Sequence, residues 1–239
     1  MSMSPKLLRP RQTGFNPKSI SGLAAWYDAS VASSLTLNGS TVSQWADLSG
    51  NGRNQSQATA AIQPTYNATG LNGKGTLTTT GTQWMQASAF ATAAGGAYTV
   101  FSVLKFDSTT GQPYAWQRGV VNGAHSLLVS TADTWAARRS SGNQGTRVSA
   151  ISQGQFYIVT TVFKSTLSRI YVGSTVGTDN TATVTAPSGN QVLTLFALDS
   201  ATRNGHPGFA EFLYYNAELD DTQQAAVRSY LSKKWGLTL

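Results

Sequence analysis

The sequence predicts an all-β fold, a sandwich or barrel of short strands with a single helix near the C-terminus. Three observations carry this. Short runs rich in β-branched and aromatic residues recur along the chain, separated by clusters of Gly, Asn, Asp and Ser, which is how strands and their turns read. Charged residues make up only 11% of the 239 residues, against about a quarter in an average domain. A surface of Thr, Ser, Asn, Gln and Gly suits hairpins better than long helices, which favour Glu, Lys and Arg. Only one segment carries the start, face and stop signals of a helix.

The chain is long for an average domain but ordinary for a large sandwich, and it can bury a core without covalent staples. It contains no cysteine, so cysteine-ligated zinc and thiol catalysis are excluded. No apolar run approaches the ~20 residues of a membrane-spanning helix.

Residues 1–20 read as an extended N-terminal arm. Pro5, Pro10 and Pro17 remove backbone donors and favour extended structure. Leu7, Leu8, Phe15 and Ile20 follow no clear period, and Lys6, Arg9, Arg11 and Lys18 precede the first acid, Asp28. One reading is a loose tail. The other is an arm that docks on a partner, with Leu7, Leu8 and Phe15 as apolar anchors and Arg9, Arg11 and Lys18 pairing with acids.

Residues 21–239 read as one sandwich domain without internal repeats. Strand segments include Leu23-Ala-Ala-Trp-Tyr-Asp28, Tyr98-Thr-Val-Phe-Ser-Val-Leu-Lys-Phe106, Ser126-Leu-Leu-Val129, Gln155 to Lys164, Ser168-Arg-Ile-Tyr-Val172, Val192 to Leu198 and Gly208-Phe-Ala-Glu-Phe-Leu-Tyr-Tyr215. Turn clusters such as Ser140-Ser-Gly-Asn143 and Arg203-Asn-Gly-His-Pro207 divide them. The helix starts at Asp220, whose spacing to Gln223 is that of a capping box. Asp221 suits the positive end of the helix dipole. Val227, Tyr230, Leu231 and Lys234/Trp235 share a face, and Gly236 is placed to end the helix. The spacing predicts that it lies across the sandwich and buries Trp235.

The net charge of +7 favours solubility or an acidic partner. Its two clusters, in residues 1–20 and at Arg138, Arg139 and Arg147, lack the interleaved aromatics or reading helix of a nucleic-acid binder, so no specific nucleic-acid partner is expected.

Several motifs in order resemble a known family: Trp26-Tyr-Asp-Ala-Ser30, Val42-Ser-Gln-Trp-Ala-Asp-Leu-Ser-Gly-Asn-Gly-Arg-Asn54, Pro64-Thr-Tyr66, Gly208 to Asn216, and Leu219 through Tyr230-Leu-Ser-Lys-Lys-Trp-Gly-Leu237. They resemble the LamG-like jelly-roll domains of the concanavalin A-like lectin/glucanase superfamily over roughly residues 21–238. The resemblance implies a two-sheet antiparallel jelly-roll sandwich, often sugar-binding and in some relatives calcium-binding. With the lead-in Arg9-Pro-Arg-Gln-Thr-Gly14, this branch is similar to domains of tailed-phage virion proteins. The chain departs from the family at Thr79-Thr80-Gly81, where many relatives carry Phe-Asp-Gly, and at Val172-Gly173, where Asn-Gly is common. Both departures weaken the transfer of a ligand site.

The expectation is therefore a non-enzymatic virion structural protein of the capsid decoration type. It would be anchored by its arm to capsid or tail proteins, form homo-oligomers and be displayed on the virion surface. It would be made in the host cytoplasm, since residues 1–10 lack the apolar core of a signal peptide. The alternatives are a carbohydrate-binding receptor or adhesion module of a phage tail, and a glycoside hydrolase. Hydrolysis usually needs two carboxyls ~5–10 Å apart. The Glu-x-Asp-x-x-Glu motif of glucanase relatives is absent, and Glu211 and Glu218 are the only glutamates. His125 and His206 read as surface or loop residues without a nucleophile elbow. Trp84, Trp116 and Trp135 lie near turns and are candidate carbohydrate platforms. Asp47, Asn51 and Asn54 offer oxygens for calcium in a Gly-rich loop, or hold that loop by Asx hydrogen bonds. No other cofactor is implied.

Overall fold

A computed structural model describes residues 14–91, 96–119, 125–129, 134–139, 147–164, 167–181, 189–198 and 206–239. In chain order the strands are β1 (Leu23–Asp28), β2 (Leu35–Asn38), β3 (Thr41–Trp45), β4 (Gln55–Ser56), β5 (Thr65–Leu71), β6 (Lys74–Thr78), β7 (Met85–Ala91), β8 (Tyr98–Phe106) and β9 (Tyr114–Arg118). They continue with β10 (His125–Val129), β11 (Thr134–Arg139), β12 (Arg147–Ala150), β13 (Tyr157–Phe163), β14 (Ser168–Val172), β15 (Thr175–Val176), β16 (Asn190–Leu195) and β17 (Pro207–Tyr215). One α-helix, α1 (Asp221–Trp235), follows.

The named strands pair antiparallel throughout and form two sheets. The first runs β15-β14-β13-β8-β17, and β17 carries β6 along its start and β1 along its second half; β5 lies beyond β6. The second runs β2-β3-β4-β7-β16-β9-β10-β11-β12. A single pairing, Thr41 with Thr65, links them at one margin. The antiparallel sandwich with one C-terminal helix matches the expected fold class.

The first sheet is covered on both faces. Tyr98, Val100, Leu104 and Phe106 of β8 join Trp45, Trp116 and Trp135 in the core between the sheets. Phe101 and Val103 point the other way, into a second core with Leu213, Tyr215, Val227, Leu231 and Trp235. Side chains alternate along a strand with period two, so a strand buried on both sides reads as an unbroken apolar run. That is why β8 and β17 stood out in the sequence.

Strand β17 breaks the alternation once. Phe209 and Phe212 both enter the inter-sheet core, although three positions apart. A register shift against β8 between Phe209 and Glu211 makes this geometry work, because a bulge inserts one residue and re-aims those beside it. The result turns Glu211 toward α1. There, 0% exposed, it accepts four hydrogen bonds: from Trp26 Nε1 at 2.8 Å, Tyr230 Oη at 2.8 Å, Lys234 Nζ at 2.7 Å and Trp235 Nε1 at 2.7 Å. Asp28 lies directly opposite Glu211 across β1–β17, and Lys234 also pairs with it.

The helix ends are as the sequence predicts. Gln223 N donates to Asp220 Oδ1 at 2.8 Å, and Asp220 N donates to Gln223 Oε1 at 3.1 Å. Gly236 takes a left-handed φ of 66° at the C-cap, a conformation that a side chain would disfavour.

Residues 14–20 fold back onto this face. Pro17–Ser19 make a 3-10 turn capped by Asn16, whose Oδ1 accepts from Lys18 N at 3.0 Å. Tyr215 Oη donates to the Pro17 carbonyl at 3.0 Å, and the Phe15 ring packs 5.6 Å from that of Tyr230. Phe15 therefore anchors the chain's own helix, because the aromatic groove beside Tyr230 lies within reach. Lys18 is exposed. Leu7, Leu8, Arg9 and Arg11 lie outside the described residues.

Removing the Glu211 carboxylate takes the acceptor from two indole N–H groups and a tyrosine hydroxyl and leaves Lys234 paired with Asp28 alone of its two carboxylates. Glu211→Ala is expected to lower the unfolding free energy by about 3–5 kcal/mol, read from urea denaturation. A loss under ~1 kcal/mol would show that apolar contacts alone dock the helix. Asp220→Ala removes one capping bond and is expected to cost about 1 kcal/mol.

Candidate functional site

The predicted aromatic platforms separate. Trp116 and Trp135 are each 0% exposed and pack edge-on or tilted against Phe163, Phe212, Phe106 and Tyr157. Both belong to the inter-sheet core and offer no face to a sugar. Their neighbouring turns suggested loop tips, but each sits at an inward position of a strand. Trp84 stays half-exposed beside β7, its carbonyl accepting from Gln57 Nε2 at 3.1 Å.

Asp47, Asn51 and Asn54 do come together, facing protein donors. Asp47 Oδ1 accepts from Trp26 N at 3.0 Å and Ser49 N at 2.8 Å, and Oδ2 accepts from Ser49 Oγ at 2.8 Å and Arg53 N at 3.0 Å. Asn54 Oδ1 accepts from Asp47 N at 2.9 Å, and Asn51 Nδ2 donates to the Leu23 carbonyl at 3.0 Å. This arrangement matches Asx-type turn chemistry and clamps the loop onto β1. Among the described residues no group of three or more His, Cys, Asp or Glu is placed to hold a metal ion.

His125 was expected at the surface. It is instead fully buried on β10, with Nδ1 2.6 Å from Tyr98 Oη and its ring stacked 4.5 Å from Phe163. His206 sits just before β17 with a left-handed φ of 52°.

The carboxylates Asp28 and Glu211 lie side by side but under the helix. Burial chiefly, and then the neighbouring Asp28 charge, push the Glu211 pKa above its ordinary 4.5; Lys234 and Trp235 pull the other way. This pair holds the fold together and has no open side for a substrate.

An accessible site lies at the other end of α1. A cavity of about 260 Å³ opens between β13–β14 and the start of the helix, lined among others by Lys164, Arg169, Tyr171, Glu218, Asp221 and Gln224. Alternation sets its wall. Ile170 points into the inter-sheet core, so Arg169 and Tyr171 face the helix. The charges on the wall are largely paired. Lys164 bonds Glu218 at 2.5 Å, and Arg169 grips Asp179 with two nitrogens, Nε at 2.6 Å from Oδ1. That grip holds the Asp179 carboxyl below its ordinary range. The Arg228 guanidinium lies 4.6 Å from the centre of the Tyr171 ring, and burial lowers its pKa. Gln224 is 5% exposed. Its Nε2 donates to the Leu219 carbonyl at 2.7 Å, while its Oε1 is buried with no hydrogen-bond partner. Sequence reasoning passed over this site because its two halves lie some fifty residues apart and Gln224 looks like any helix-surface residue. The Ser168-Arg-Ile-Tyr-Val172 alternation was the signal available.

No family model and no curated protein matches the chain. Solved structures do share its fold. Trypanosoma rangeli sialidase superposes with a TM-score of 0.63 at 12% identity, over 90% of this chain and 33% of the sialidase. A mutant GH54 α-L-arabinofuranosidase gives 0.60 at 14% identity, over 82% and 51% of the two chains. The botulinum neurotoxin serotype D binding domain gives 0.62 at 10% identity, over 91% and 54%. The chain thus spans about a third to a half of these proteins, and at such identities the likeness establishes the sandwich alone. It also corrects the expectation of a phage virion structural protein. The neighbours are glycoside hydrolases and a toxin binding domain, and none of these three links the chain to a virion.

A raised folded-state pKa means that folded Glu211 binds its proton more tightly than the unfolded chain does. Its contribution to stability is therefore complete below the ordinary carboxylate value of 4.5 and is lost as pH rises through the raised value. Glu211→Gln is expected to remove this downward slope of unfolding free energy with pH above 4.5, measured by denaturation at stepped pH. An unchanged slope would place the titration elsewhere.

Proposed function

We propose that this chain is a non-catalytic carbohydrate-binding module, a LamG-like member of the concanavalin A-like lectin/glucanase superfamily, holding a sugar in the groove between α1 and β13–β14. The observation that carries this is the composition of the groove. It combines an aromatic side chain, Tyr171, with fixed polar groups whose charges are paired, and a floor amide oxygen left without a partner. Small-ligand sites combine apolar or aromatic surface with a few oriented polar groups in this way. Two of the fold neighbours are glycosidases by name, which supports a sugar as the ligand class.

The acids argue in the same direction. Glycoside hydrolysis places two carboxyls on either side of the scissile bond. Glu211 lies sealed under α1 with four donors, and Glu218 is paired with Lys164. Of the other acids that line the groove, Asp220 is engaged in capping the helix.

The reading is tested with a broad glycan panel, run with and without calcium, followed by calorimetric titration of the best ligands. Millimolar to micromolar affinity is expected, falling roughly tenfold or more, ~1.4 kcal/mol or above, in Tyr171→Ala with circular dichroism unchanged. A blank panel in both conditions rejects the proposal.

A further inference from the structure

We infer that the helix–sheet groove, taken as the sugar site proposed above, selects neutral sugars, with Gln224 and Arg228 reading the hydroxyls of one ring. Residues four apart on a helix lie one turn above each other on the same face; Gln224 lines the cavity, and Arg228 adjoins it through the Tyr171 ring. The bond from Gln224 Nε2 to the Leu219 carbonyl fixes the amide, so the atom left over is an acceptor, Oε1. Arg228 leaves over a donor: its Nη1 is buried with no partner while the guanidinium rests on Tyr171. Thr160, which faces Tyr171 across β13–β14, has a third buried and unpartnered polar atom, Oγ1. Buried polar atoms without partners are uncommon, and each calls for an explanation. Three of them, two on α1 and one on β13, belong to residues that contact Tyr171, pair with it or line the same cavity.

A hydroxyl both gives and accepts a hydrogen bond, so a pair of ring hydroxyls satisfies Oε1 and Nη1 together. A carboxylate only accepts, so where it takes the place of such a hydroxyl Gln224 stays unmet. The surrounding charge agrees. Lys164, Arg169 and Arg228 stand against four carboxylates, Asp179, Glu218, Asp220 and Asp221, and two of the cations are already paired. An acidic sugar meets net repulsion. The two atoms are closed to water, so a ligand that meets them displaces neighbouring side chains; the Lys164–Glu218 pair lines the same cavity, is 37% and 44% exposed and opens at little cost. At about 260 Å³ the cavity falls below the ~300–1,000 Å³ of drug-sized pockets, a size for one or two rings.

The test is titration of the full chain, by heat or by amide chemical shifts, with methyl glycosides of glucose, galactose and mannose. Glucuronate, galacturonate and N-acetylneuraminate are run at matched ionic strength. The neutral sugars are expected to bind, and the acids at least tenfold more weakly. Gln224→Leu and Arg228→Met are each expected to lose at least tenfold in sugar affinity; urea stability is expected to hold in Arg228→Met, which replaces the unpartnered Nη1 by an apolar group, and to fall modestly in Gln224→Leu, which gives up the bond to the Leu219 carbonyl. A group with only a structural role would leave the sugar affinity unchanged. Acids binding as tightly as neutral sugars overturn the selectivity and leave the sugar site standing. Neutral sugars binding equally to both variants overturn the role of the pair. Absence of any sugar binding overturns both readings. Should Arg228→Met fail to fold, Gln224→Leu decides alone.

Discussion

The ammonium of Lys234, held between Asp28 and Glu211, is the interaction on which the rest of the architecture depends. A buried carboxylate is tolerable only when its oxygens are satisfied, and here two indoles, a tyrosine hydroxyl and the lysine supply the donors. Every one of those donors belongs to β1 or α1. The carboxylate on β17 therefore joins three elements, β17, β1 and α1, and its four bonds hold the helix in this placement. Apolar contacts from Val227, Leu231 and Trp235 supply area, but area alone does not fix rotation or register. The buried ion cluster does, which is the role best supported for such groups. The bulge in β17 is its precondition, since without the inserted residue Glu211 would not turn toward the helix.

What was legible in the sequence follows from how local each signal is. The helix was readable from end to end because its cap, apolar face and terminator are all written within seventeen residues, Asp220 to Gly236. The strands of the first sheet were readable because burial on both faces leaves unbroken apolar runs. Trp116 and Trp135 were misplaced because nearby turn residues outweighed the strand period, and burial is decided by the opposite sheet. Phe15 looked available for a partner because nothing in residues 1–20 reveals the ring of Tyr230. Glu211 was noticed as a lone acid among apolar neighbours. Its partners lie up to 185 residues away, so its meaning could not be read from β17. The virion reading leaned on a short lead-in motif rather than on physics, and the fold neighbours replaced it.

The loop at Asp47 shows how the same residue types serve two chemistries. Asp and Asn oxygens in a Gly-rich loop satisfy a cation or satisfy backbone N–H groups. Four protein donors converge on Asp47, so the loop's order rests on the chain itself. Its hydrogen bonds reach Trp26 on β1, which is also a donor to Glu211. Loop and ion cluster thus hold the two ends of one residue, backbone and indole, and stiffen the strand that carries Asp28.

This arrangement bears on the groove. The C-terminal half of α1 is fixed by Lys234 and Trp235, whereas its N-terminal half, capped by Asp220 and Gln223, forms the wall against Tyr171. A fifteen-residue helix behaves as a rigid rod, so anchoring one end positions the other. Binding groups held on rigid elements stay within the narrow tolerances that recognition needs, and they do so without ordering a loop at the moment of binding. In the proposed reading, docking and recognition share one element. The carboxylate of Glu211 bonds Lys234 and Trp235 on the same helix that carries Gln224 and Arg228. A change there would reach the groove as a displacement of the helix, through packing and not through charge.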